Sequence, residues 1–304
     1  MMDTVHVQVA ALHDSVMQVA KDTLHAAAVT HGHGGEESSG NLFGALLHHL
    51  YDSPYLNLPF LEVHLPQFPP LHLFGLTINL SITKHVVFLW VAAALVIAGA
   101  LSAARSNARK NVPHGWGNVV EIVVVFIRDE IVLPNMGREG LRYLPYLLTT
   151  FFFILVMNLL GLIPYGASAT GNVSVTGGLA LIAFLMIQWA AIRSQGLRHY
   201  LAHLTGGVHW SLWPIMIPIE ILGLFTKAFA LCIRLFANMT GGHIVIVSLI
   251  GLIFLFRSPL IAIAPASFVV AIMFLELFVA FLQAYIFTML TSLFMGLGMK
   301  TDEH

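Results

Sequence analysis

Apolar residues run through this chain in blocks too long for the core of a soluble domain. About 20 consecutive apolar residues span a bilayer. Residues 86–104 form one such run, uncharged and opening after Thr83 and Lys84, a helix cap and an interface anchor. Residues 144–163 form a second run and residues 173–192 a third. Two much longer stretches follow: residues 208–256, whose only formal charges are Glu220, Lys227 and Arg234, and residues 259–299, with only Glu276. Roughly 40 helical residues measure about 60 Å, twice the apolar thickness of about 30 Å. Each long stretch is therefore either two crossings or one strongly tilted helix, with Arg257, Ser258 and Pro259 marking a turn between them.

Outside these runs the pattern changes. Residues 76–82 alternate apolar and polar, as a short strand does, and the Pro-rich stretch at 58–70 belongs with a loop-and-strand region outside the bilayer. Residues 40–50 predict a short interfacial helix. Residues 118–132 predict an amphipathic helix resting on the membrane surface. Near the start, Val5, Val9, Leu12, Val16 and Val19 recur at helical spacing, while Asp14, Lys21 and Asp22 interrupt any signal-peptide core, so no cleaved signal is expected. The HGHGGEESSG run at 31–40 reads as a linker whose histidines are solvated. The fold expected is an all-α integral membrane protein with about five membrane helices, the last two long and tilted as a hairpin. Residues 1–83 form an exported N-terminal segment and residues 84–304 the membrane domain.

Charge sets the orientation. Arg105, Arg109, Lys110, Arg128, Arg138 and Arg142 cluster between the first two runs, the loop at 164–172 carries no charge, and Arg193 and Arg198 follow the third run. Excess basic residues stay on the cytoplasmic side. The first run then passes from outside to inside, the turn at Arg257 lies outside, and the tail from Lys300 lies inside.

Composition agrees with the pattern. Of 304 residues, 58% are hydrophobic and 10% charged, where soluble domains carry about 25% charged residues, and the mean hydropathy is +0.83. A net charge of −1 gives no reason to expect nucleic acid as a partner. Cys232 is the only cysteine, a small apolar filler, so neither a disulfide framework nor a thiolate metal cluster is available.

The charges inside the apolar runs are the candidate chemistry. Placing Arg, Lys or Asp at the centre of a membrane helix costs about 2.5–3.5 kcal/mol on insertion scales, so such residues mark functional sites by default. Glu220, Lys227 and Arg234 are spaced by seven, which puts them in one helical stripe. Asn238 lies one turn beyond Arg234, and Gly241 and Ser248 continue the stripe with little bulk. Two turns separate Glu220 from Lys227, so a direct ion pair between them would be strained. His243, nine residues past Arg234, projects to the opposite side, giving the helix a second polar face. On the next helix Glu276 and Gln283 are again seven apart. A hairpin of the two helices would bring His243 and Glu276 together.

At these residues a resemblance emerges. The run Arg234-Leu235-Phe236-Ala237-Asn238-Met239, followed by Gly241-Gly242, resembles the signature of the a subunit of F-type ATP synthases. Asn158-Leu159-Leu160-Gly161-Leu162-Ile163-Pro164, Pro218-Ile219-Glu220 and Leu282-Gln283-Ala284-Tyr285-Ile286-Phe287 resemble three further blocks of that family, in the same order. The resemblance covers most of residues 84–299.

The resemblance implies a stator subunit beside a rotating ring of c subunits, joined to peripheral-stalk b subunits, in a bacterial inner membrane. Two offset half-channels pass protons to and from ring carboxylates. The family's essential arginine falls on Arg234, its asparagine on Asn238, its acidic and basic helix partners on Glu220 and Lys227, and its glutamine on Gln283. Many bacterial members carry glutamate at the position of His243 and histidine at that of Glu276; here the two are exchanged, as in mitochondrial members. Gly161 stands where some members carry aspartate, so no proton-path role transfers there. The resemblance implies no cofactor and no metal.

The assignments suit the chemistry of the side chains. A guanidinium keeps its proton, so Arg234 attracts a carboxylate without becoming a carrier. A carboxyl and an imidazole, as at Glu276 and His243, exchange protons near neutral pH. The competing class is a secondary ion transporter or channel with its own buried Arg/Glu site, which would need no rotor. A membrane cytochrome fits poorly, because His48, His49, His64, His72 and His203 fall outside the apolar runs. Neither an H-E-x-x-H motif, nor a G-x-S-x-G around Ser168, nor a P-loop is present, so any ATP chemistry belongs to other subunits.

Overall fold

The structure is a computed structural model that describes residues 83–108, 115–163, 169–196, 200, 213–256 and 259–299, with four short strands between residues 55 and 78. The N-terminal helix, the linker at 31–40, the interfacial helix at 40–50, the turn at Arg257 and the tail from Lys300 lie outside the described residues. Strands β1 (Tyr55–Leu58) and β2 (Leu61–His64) pair antiparallel, as do β3 (Leu71–Leu73) and β4 (Leu76–Ile78). The strand expected from residue 76 is thus half of a hairpin.

Five long apolar helices follow, each able by length and composition to cross a membrane. Helix α1 (Lys84–Ala108) starts where the Thr83 carbonyl accepts from the Val86 and Val87 amides at 3.1 and 3.2 Å. Helix α2 (Trp116–Phe126) occupies the segment predicted to be amphipathic and exposes Trp116, Val119, Ile122 and Val125. A π-helical turn (Ile127–Val132) and the short α3 (Leu133–Met136) extend it. A 3₁₀ turn (Arg138–Tyr143) leads into α4 (Leu144–Gly161), with Pro145 in its first turn, where a missing N–H costs nothing. Helix α5 (Val173–Gln195) is capped by the Asn172 side chain, which accepts from the Ser174 amide at 2.8 Å. It ends at Gly196, whose φ of 80° turns the chain away.

The two longest stretches are single helices. Helix α6 (Trp213–Phe256) has 44 residues and α7 (Pro259–Met299) has 41. Pro218 and Pro265 sit near the starts of these helices and interrupt neither. The alternative of two crossings per stretch is removed. A helix near 60 Å long stays within an apolar layer of about 30 Å only at about 60° from the normal. Contacts run in opposite senses along the pair: Gly242, Asn238 and Lys227 of α6 meet Glu276, Gln283 and Phe294 of α7. The two helices therefore form the expected antiparallel hairpin, and α7 also packs against α4 and α5.

Lipid chains are as apolar as leucine, so close packing and hydrogen bonds, rather than burial from water, hold membrane helices together. Ile127, Ile131, Leu147, Ile154, Met157, Leu231, Leu235, Phe287 and Met295 form the packed centre. Small residues and backbone acceptors lock the C-terminal end of α7. The π-turn leaves the Ile131 carbonyl to accept from Asn135 Nδ2 at 2.8 Å and from Ser292 Oγ at 3.3 Å. Gly296 lies so close to the Asn135 carbonyl that a Cβ there would stand 2.9 Å from its carbon. Ser194 Oγ and Gln195 Nε2 donate to the carbonyls of Met299 and Gly298 at 3.2 and 2.8 Å.

Gly296→Ala is expected to destabilise the folded chain by about 1–3 kcal/mol, the cost of overpacking against backbone. Gly241→Ala, where a Cβ meets nothing within 4 Å, is expected to be neutral. Thermal unfolding of the two purified variants in detergent checks the contrast.

Candidate functional site

The α6 stripe predicted from sequence passes through three different surroundings. At its start Glu220 and Lys227 line a cavity of about 100 Å³ closed in by α5 and α7. Its other polar walls are Gln188 and Gln195 of α5 and Tyr200 beyond it. Glu220 and Lys227 form no ion pair with each other, as their two-turn spacing implies. Instead the Lys227 ammonium lies over the Phe294 ring, 5.3 Å from its centroid. At the far end the stripe is open: nothing approaches a Cβ on Gly241, and Ser248 is exposed and donates to its own helix at Ile244 O.

Arg234 sits at the boundary. It is half-buried, and no carboxylate or acceptor among the described residues pairs with it. It lies seven residues, about 10 Å, from Lys227. One turn further on, Asn238 Nδ2 donates to Gln283 Oε1 at 2.7 Å, a polar cross-link between the hairpin helices. Gln283 is buried, and its Nε2 has no partner among the described residues.

Beyond this cross-link lies a second polar group. Thr240 Oγ1 and His243 Nε2 on α6 and Glu276 Oε1 on α7 are buried without a hydrogen-bond partner among the described residues. Buried polar atoms are paired with few exceptions, and each exception calls for a reason. These three atoms and Gln283 Nε2 form a cluster of such exceptions on the two hairpin helices. His243 and Glu276 share the seam between these helices but do not bond. The Glu276 carboxyl rests against Gly242, the residue before His243: a Cβ there would stand 2.8 Å from Glu276 Cδ and 3.0 Å from Cγ. The bare backbone of Gly242 is what admits the carboxylate.

Sequence reasoning thus places Glu220, Lys227, Arg234, Asn238, His243, Glu276 and Gln283, and the structure sorts them into a cavity, a boundary and a seam. It misses Gln188, Gln195 and Tyr200. A signal is present: Gln188 and Gln195 are seven apart in an apolar helix, the same spacing that singles out the α6 stripe. The steric role of Gly242 is not visible in the sequence, because it depends on which α7 residue comes opposite. Asn158, buried on α4, joins α7 by donating to Ala280 O at 3.4 Å and accepts from Thr170 Oγ1 at 2.9 Å, a structural node.

Residues 86–296 match the profile of the family described as ATP synthase A chain. The ATP synthase subunit a of Pelodictyon phaeoclathratiforme is 50% identical over 297 residues, covering 96% of this chain and 85% of that protein. An ATP synthase subunit a 2 of Chlorobaculum tepidum is 51% identical over 276 residues, 88% of this chain and 76% of its own. The subunit a of Myxococcus xanthus is 54% identical over 229 residues, 75% of this chain and 76% of its own.

Gln283→Leu is expected to destabilise the hairpin by about 1–3 kcal/mol, because the Asn238 amide loses its partner. Asn238→Leu combined with Gln283→Leu should recover much of that loss. A double-mutant cycle on unfolding in detergent reads the coupling.

Proposed function

This chain belongs to the ATP synthase A chain family, and we propose that it works as the stationary proton-channel subunit of an F-type ATP synthase with Arg234 as the fixed charge between two half-channels. It is a multi-pass membrane protein. The observation that carries the assignment of roles is a half-buried arginine without a partner among the described residues, flanked along one hairpin by two separate polar groups.

In this reading the cavity holding Glu220 and Lys227 is one half-channel, and the seam holding Thr240, His243, Glu276 and Gln283 is the other. Neither continues past Arg234. A permanent cation there opposes a proton passing straight across and favours ionisation of a carboxylate brought beside it. The counter-charge comes from outside the chain, on a ring of c subunits that carries protons between the half-channels. Peripheral-stalk b subunits hold the chain still. Nucleotide chemistry resides elsewhere in the complex, and this chain supplies the ion path.

Orientation follows from the basic residues. Arg193 at the end of α5, the start of α6 and the end of α7 lie on the cytoplasmic side of the inner membrane, so the cavity opens inward and the seam outward. Residues 1–83 are exported, and the C-terminus is cytoplasmic. A self-contained transporter is the weaker reading, since it needs a counter-ion for Arg234 within the chain.

Arg234→Ala is expected to assemble yet abolish ATP-driven acidification of inverted vesicles, with assembly checked by immunoblot; undiminished pumping would remove the arginine's role. Glu276→Gln should slow coupled pumping at least about tenfold, since a positioned proton-transfer group contributes about 10²–10⁴. Gly242→Ala should reproduce that defect by displacing the carboxylate while leaving it chemically intact. Normal pumping in both Glu276→Gln and Gly242→Ala vesicles would sink the outer relay.

A further inference from the structure

Tyr200 and Gln188 lie in the cavity wall but belong to none of the charged positions just discussed. Tyr200 follows the end of α5, held by its amide donating to Gly196 O at 3.0 Å. Its side chain folds back so that the hydroxyl donates to Gln188 Oε1 at 2.6 Å, two turns inside the helix. The side chain thus forms part of the cavity wall, joined to α5. Along the neighbouring seam, Gln195 donates to Gly298 O and Ser194 to Met299 O, so α5 and α7 are tied shut there. Burial, and then the charge of Glu220, push the Tyr200 hydroxyl above the ordinary tyrosine range, which places Tyr200 on the Glu220 side.

The closed arrangement is incomplete. Gln188 Nε2 is buried and has no partner among the described residues, although its Oε1 is held by Tyr200. A primary amide satisfied on one side only favours entry of water, which would supply the missing acceptor. The hydroxyl bond to Gln188 Oε1 is what ties the Tyr200 side chain to α5.

We propose that Tyr200 and Gln188 form a latch in the wall of the cavity that limits the access of water to Glu220 and Lys227, making both positioning residues for the inner half-channel. This rests on the functional reading above. With the latch closed, the cavity is a short pocket walled in part by the Tyr200 side chain. With it open, Gln188 turns its amide to entering water and the acidic and basic residues behind it are connected to the aqueous phase. The pair thus sets how often the inner half-channel is continuous, without carrying a proton itself.

The test uses the whole ATP synthase in inverted vesicles, with Cys232→Ala to silence the native thiol and Leu224→Cys as a reporter in the cavity wall. A small membrane-impermeant thiol reagent is added from the exposed cytoplasmic face. Tyr200→Phe and, separately, Gln188→Leu are expected to speed labelling of Leu224→Cys by roughly two- to tenfold, the population change that loss of one such hydrogen bond produces. The double variant should label no faster than the faster single one. Ile154→Cys, in the fully buried centre, should stay unlabelled in every background. Unchanged labelling in both single variants would overturn the latch, and so would a parallel rise at Ile154→Cys, which reports general loosening. Failure of the underlying reading looks different: labelled Leu224→Cys vesicles would go on acidifying normally, which would take the cavity out of the proton path whatever the latch does.

Discussion

A charged group in an apolar layer is tolerated only where something answers its field, and answers are scarce on the α6–α7 hairpin. Most of its surface is large apolar side chains, among them Phe225, Phe229, Phe274 and Phe278, exposed to what surrounds the chain. Against that background the polar residues fall into two groups, and Arg234 belongs to neither. The arrangement costs the isolated chain stability, since a guanidinium that no described residue pairs with and several unbonded polar atoms are all unfavourable there. The rest of the architecture serves to keep those few groups in register: small residues where helices approach closely, backbone acceptors at the ends, and one amide cross-link beside the arginine.

That cross-link has a particular position. Asn238–Gln283 is the polar contact nearest Arg234 along the hairpin, and it lies on the side toward His243 and Glu276. It ties the two helices together one turn from the guanidinium. Asparagine and glutamine suit the role because they bond strongly yet stay neutral, so they add no second charge to compete with the guanidinium.

Much of this architecture is legible in the order of the residues alone. The five helices follow from runs of apolar residues, and their ends fall within a few residues of those runs, because the demand for some 20 apolar positions is nearly independent of packing. The charges are conspicuous for the same reason: Arg234 or Glu276 in an apolar run has few structural excuses. What is not legible depends on register between helices. The heptad spacing of Glu220, Lys227 and Arg234 gives one face of one helix but not which neighbour covers it, so the wall built from Gln188, Gln195 and Tyr200 stays hidden in the sequence. The same gap explains His243 and Glu276. Their spacing leads one to expect a meeting, and they share a seam, but the carboxyl settles against Gly242 because only a glycine leaves room there. The sequence also leaves open whether the last two stretches are broken or continuous, since proline near a helix start disrupts few hydrogen bonds.

The ends of α7 are held very differently. Toward Met299, the Ser292 hydroxyl, the close approach at Gly296 and the carbonyls taken by Ser194 and Gln195 fix it to the π-turn, α3 and α5. Toward its start, Ile263, Phe268, Val270 and Phe274 lie uncovered. Mechanically this is a beam clamped at one end, and deflection in a cantilever grows steeply with distance from the clamp. The half bearing Lys227 and Phe294 lies near the clamp and the half bearing Glu276 farther from it, so a bending load on α7 would displace Glu276 more than Phe294.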